Sequence, residues 1–155
     1  MILLIALLIG VIAGLRAMLA PAAISWAANL HGLNLSGSWL AFLGYAWTPW
    51  ILSIAAVAEL VTDQLPSTPS RKTPPQFGAR LVMGAVSGAA IGIPSGMWIG
   101  GLIAGIVGAA AGTFGGAAAR TWLAATFGND RPAAIVEDAV AILGAVAILG
   151  LASFG

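Results

Sequence analysis

The stretch Ala58-Glu59-Leu60-Val61-Thr62-Asp63-Gln64-Leu65-Pro66 closes an otherwise apolar helix and sets two carboxylates four residues apart. At that spacing both project from one helical face. The chain has only five acidic residues in 155, and 60% of it is hydrophobic. A charge at the centre of a membrane helix costs about 2.5–3.5 kcal/mol even on lenient insertion scales, so these carboxylates require compensation. The candidates are Arg16, Arg80 and Arg120, each set inside an apolar stretch of its own. The pattern predicts an all-α integral membrane protein organised around a buried charge cluster.

Composition narrows the class. Charged residues make up 7% of the chain, against about 25% in an ordinary soluble domain. A net charge of +1 and the lack of any Lys/Arg stripe argue against a nucleic-acid partner. The chain contains no cysteine, which excludes disulfides, thiol chemistry and cysteine metal sites. No pattern for a metal or another cofactor is present. The block 1–19 followed by Ala20-Pro21-Ala22-Ala23 has the outline of a signal peptide, but it lacks a basic start and is interrupted by Arg16. It is therefore expected to remain as a first membrane helix.

Apolar runs separated by turn residues predict one transmembrane domain over 1–155, with five spans at about 20 residues each. The first span covers 2–29 with a kink at Pro21. The second covers 39–65 with a bend at Pro49. A proline-rich surface loop over 66–75 follows, then spans over 76–93, 97–127 and 133–154. The connections after the second and fourth spans hold Arg71, Lys72 and Arg131, whereas those after the first and third hold no lysine or arginine. The positive-inside rule then puts the basic loops and, with five spans, the amino terminus in the cytoplasm. Trp26, Trp39 and Trp98 fall at ends assigned to the outer interface, where indoles prefer to sit. On this layout Arg16, Glu59, Asp63, Arg80, Arg120, Glu137 and Asp138 converge on the inner half of the bundle. Glu59 is the expected first partner of Arg16, with Glu137 and Asp138 next.

Glycines recur at four-residue spacing: Gly10 and Gly14; Gly84, Gly88 and Gly92; Gly108, Gly112 and Gly116 in line with Gly100. Small residues at this spacing let helices approach closely, within the chain or in a homo-oligomer. His31 is a lone histidine in a loop with no ligand spacing around it. No G-x-S-x-G elbow is present. Gly14-Leu15-Arg16 is echoed by Gly78-Ala79-Arg80, and the Glu59 and Asp63 pair by Glu137-Asp138, a loose internal repeat of the kind found in transporters.

Several of these features occur together: Ala13-Gly14-Leu15-Arg16 with Pro21, Glu59-x-x-x-Asp63-x-x-Pro66, Thr68-Pro69-Ser70-Arg71, Gly78-x-Arg80, Arg120 and Glu137-Asp138. In this combination the chain resembles a bacterial family of small multi-pass membrane proteins known only as a domain of unknown function. The resemblance implies a bacterial inner-membrane location and no particular activity. Gln64 and the run Gly116-Ala117-Ala118-Ala119 stand where that family often carries basic residues.

Three functions fit the sequence. The first is a small transporter or channel whose inner-facing chamber is lined by the seven charged residues and takes an ion or small charged solute. The second is a non-catalytic membrane module that binds lipid or a partner protein, its buried charges purely structural. The third is an integral-membrane enzyme using paired carboxylates as acid and base.

Overall fold

A computed structural model describes residues 1–30, 32–65 and 70–153. His31, Pro66–Pro69 within the proline-rich loop, Phe154 and Gly155 lie outside the described residues. Among the described residues there are six α-helices: α1 (Ile2–Leu15), α2 (Leu19–Asn29), α3 (Thr48–Thr62), α4 (Pro74–Gly92), α5 (Trp98–Phe127) and α6 (Asp130–Ser153). Among the described residues there is no strand. Short 3₁₀ turns occupy Ala41–Gly44 and Ile93–Ser95.

Pro21 and Pro49 stand in the first turns of helices and do not bend them. The expected first span is broken at Arg16–Met18, where Arg16 is extended (φ −141°, ψ 110°). Pro21 is the third residue of α2. There a missing N–H costs nothing, because the first turn of a helix has no internal acceptors to satisfy. Pro49 is likewise in the first turn of α3. The segment between Trp39 and Trp47 is a chain of turns, pinned by Ser38 Oγ donating to Leu35 O (2.7 Å) and Thr48 Oγ1 donating to Phe42 O (2.7 Å). Hydroxyls bonded to nearby carbonyls in this way compete with helix formation.

Helix directions follow from the glycine contacts. Gly10 of α1 lies against Gly105 of α5, Gly14 against Thr113, and Leu15 against Gly116, so α1 runs parallel to α5. At the break the chain turns back. Beyond α2, Trp39 packs edge-on against Trp98 at the start of α5, with centroids 6.3 Å apart. α1 and α2 therefore form a hairpin of short helices, about 21 and 16 Å long at 1.5 Å per residue. Its tip is Arg16–Met18. The sequence reading put Met1 on the side of the basic loops. The parallel α1–α5 alignment puts it at the opposite end, with Trp39 and Trp98. The error is one of parity: a single expected span is in fact two antiparallel half-length helices.

Glycines bring the backbones together. A Cβ on Gly84 would stand 2.7 Å from Gly105 O, and one on Gly105 would stand 3.1 Å from the Gly88 Cα. These contacts seat α4 antiparallel to α5. Another face of α5 meets α1: a Cβ on Gly108 would lie 2.9 Å from Val11 N, and one on Gly112 would lie 3.0 Å from the Val11 Cα. The faces expected to serve an oligomer are thus occupied within the chain. Gly101 and Gly105, absent from the expected stripes, carry the α4 contact.

Three helical segments, Pro74–Ser95, Trp98–Phe127 and Asp130–Leu151, are long and apolar enough to cross a membrane. Large apolar side chains such as Ile54, Val107, Leu143 and Val146 are exposed around the bundle. Both features fit a membrane protein, in which lipid covers an apolar exterior.

Candidate functional site

The hairpin tip leaves two helix ends inside the protein. The last carbonyls of α1 and the first N–H groups of α2 lack intrahelical partners, and such groups are costly when buried unpaired. Two charged side chains supply the partners. Arg80 of α4, 1% exposed, donates from Nη1 to Gly14 O (3.0 Å) and Leu15 O (2.7 Å). Thr113 Oγ1 adds a longer bond to Gly14 O (3.3 Å). Glu59 of α3 accepts from the Ala17 N–H (2.7 Å) and the Met18 N–H (2.8 Å). A cation thus sits at a helix C-terminus and an anion at a helix N-terminus, the two favourable placements against the helix dipoles. Arg80 Nη2 stands 3.7 Å from Glu59 Oε1, so the two caps also attract each other.

Arg16 is completely buried. Its Nη1 is ion-paired with Asp63, and its Nε donates to Asp138 Oδ1 (2.7 Å), with Nη2 on the same oxygen. The expected first partner, Glu59, instead accepts from the Ala17 and Met18 N–H groups at the start of α2. Asp138 was the better of the second choices. Asp63 Oδ2 also lies 3.6 Å from Arg80 Nη2, which makes it a bridge between the two buried arginines. Gln64 Nε2 approaches Asp138 Oδ2 at 3.5 Å.

Glu137 faces the other side of the cluster. Arg71 grips it through both terminal nitrogens, with Nη2 to Oε2 at 2.8 Å. Arg120 Nη1 stands 3.6 Å from the same carboxylate. Arg120 itself is bidentate on Asp130, with Nε to Oδ1 at 3.0 Å and Nη2 to Oδ2 at 2.6 Å. Such fork-to-fork pairs combine charge with fixed geometry.

All seven residues singled out from sequence meet in this one cluster. Two members were missed. Arg71, in the expected surface loop, and Asp130, between the fourth and fifth expected spans, each form a bidentate pair. Every acidic residue of the chain takes part, against Arg16, Arg71, Arg80 and Arg120. The remaining cations, Lys72 and Arg131, lie at the same end.

Above the cluster is an open cavity of about 690 Å³. Its charged lining is Asp63, Arg71, Arg80, Arg120, Asp130 and Arg131, with neutral polar groups from Gln64, Ser70 and Thr121. A volume between about 300 and 1,000 Å³ is typical of small-molecule sites. Arg80 Nε, buried and without a hydrogen-bond partner, belongs to this lining residue. Comparison with family models, curated proteins and solved structures gives no match to this chain.

Proposed function

We propose that this chain is a small polytopic membrane transporter whose solute chamber is the cavity above the charge cluster. The observation that carries the reading is the broken α1–α2 hairpin, whose capped ends lie beneath a charged cavity large enough for a solute. Discontinuous helices with termini at a buried polar site are a recurring way to bind charged solutes within a bilayer. Buried ionisable groups within membrane helices commonly mark a substrate or proton path.

In the proposed orientation the end holding Arg71, Lys72 and Arg131 is cytoplasmic, by the positive-inside rule. The chamber then opens inward, and Met1 belongs to the opposite side. α3 completes the set of membrane-embedded helices around the hairpin. The resemblance to the small bacterial inner-membrane family fits this placement.

Purified protein in proteoliposomes should move at least one of a panel of small anions, cations and protons above empty vesicles. Asp63→Asn should fold but lose most of that flux, because Asp63 links Arg16 and Arg80 and also lines the chamber. No flux for any panel member, or full flux in the variant, would reject the proposal.

A second reading has an observation of its own. Each carboxylate of the cluster already has a cationic or N–H partner. A fully paired cluster would serve as a lock that fixes one packing of the bundle, in a module that binds lipid or a partner protein. On that reading Asp63→Asn lowers thermal stability and no solute crosses.

A further inference from the structure

The carboxylates and guanidiniums of the cluster are not spread evenly about the cavity. Glu59, Glu137 and Asp138 lie behind the arginines, and only Asp63 and Asp130 reach the cavity wall. Arg71, Arg80, Arg120 and Arg131 all do. The wall therefore shows more cationic than anionic side chains, although the cluster as a whole is close to balanced. One cation on this wall is unspent, and one donor behind it is unpaired. Arg80 Nε has no hydrogen-bond partner although the residue is 1% exposed, and leaving such a donor unpaired is costly. Arg131, on the first turn of α6, makes no side-chain ion pair among the described residues. Ser70 and Thr121 add hydroxyls to the same wall.

Resting on the proposed solute chamber, we propose that the cavity is a binding site for a phosphate-type oxyanion, either a free anion or the headgroup of an anionic lipid. Arg131 holds it at the mouth, with the hydroxyls of Ser70 and Thr121 on the same wall. An oxyanion presents several acceptor oxygens, and a guanidinium matches that geometry through its planar fork of donors. A bare cation would meet the arginine wall first and be repelled. Arg71 and Arg120 keep their carboxylate pairs while an anion is bound, so the ligand neutralises unspent charge and breaks no existing ion pair.

The test is thermal unfolding of the full chain in a maltoside detergent, which carries no phosphate. Inorganic phosphate is titrated against chloride at matched ionic strength, and phosphatidylglycerol is titrated in a separate series. Saturable stabilisation by phosphate supports a free-anion site; saturable stabilisation by the lipid alone supports a headgroup site. In either case Arg131→Gln should weaken the apparent affinity at least about tenfold, the effect of one lost charge-assisted hydrogen bond. Arg131 lies outside the ion-pair network, so the variant should unfold near the parent temperature without ligand. No saturable response to either ligand, or an unchanged affinity in Arg131→Gln, overturns the proposal. The transport reading fails separately. Phosphate binding without flux of any solute leaves the anion site standing and removes the transporter. Cation or proton flux without phosphate binding does the reverse.

Discussion

Arg16 is the residue on which the cluster turns. Its guanidinium is fully buried between Asp63 and Asp138, and removing it would leave two largely buried carboxylates without their main cationic partner. Arg16→Met should lower the unfolding free energy by about 3–5 kcal/mol, the usual result of breaking a buried pair from one side. Adding Asp63→Asn and Asp138→Asn should recover much of that loss, measured by denaturant unfolding in detergent. A Glu59 substitution should not rescue it, since Glu59 serves the Ala17 and Met18 N–H groups. Glu59→Ala should itself cost about 1–3 kcal/mol by leaving those donors unpaired, with Glu59→Gln milder because its amide oxygen still accepts. The cluster was legible in sequence because a charge in an apolar run demands a partner. The pairing was not, because it depends on which carboxylates the helix ends consume first. Arg71 left a weaker trace: three arginines against four acids is one cation short, and the nearest loop supplies it.

Between elements, the glycines of α5 decide how close the helices come. Gly105→Ala should force α4 and α5 apart, since its Cβ would stand 2.9 Å from the Gly84 carbonyl carbon. A cost of about 1–3 kcal/mol is expected for overpacking of this kind. Gly115 is the internal control: a Cβ there meets nothing within 4 Å, so Gly115→Ala should stay within about 1 kcal/mol of the parent. Differential scanning of the two variants side by side checks the contrast. Four-residue spacing announced that glycines pack helices, and Gly84 and Gly88 do so. It could not say which neighbour each would meet, and the Gly108–Gly112 face turned to α1 within the chain. Proline was the less reliable signal. Pro21 and Pro49 read as kinks from the length of the apolar runs. A proline placed early in a helix also fits the first turn without strain, and both occupy that place.

Over the whole molecule, one local misreading propagated into the topology. Residues 2–29 are apolar enough for a single span, and only the extended backbone at Arg16 divides them into α1 and α2. That break sets the tip of the hairpin, brings the caps from Arg80 and Glu59 together, and moves Met1 to the end opposite Arg71 and Lys72. The cluster, the cavity and the proposed inward opening all depend on it. Site-directed thiol labelling with a membrane-impermeant reagent tests it directly, because the chain has no native cysteine. Single cysteines would be placed immediately after Met1, at Ser36 and at Ser70, in sealed vesicles of known orientation. The hairpin predicts labelling of the Met1 and Ser36 positions from one face and of Ser70 from the other. Labelling of the Met1 position from the same face as Ser70, with Ser36 opposite, would show that 2–29 crosses as one span and would contradict the account.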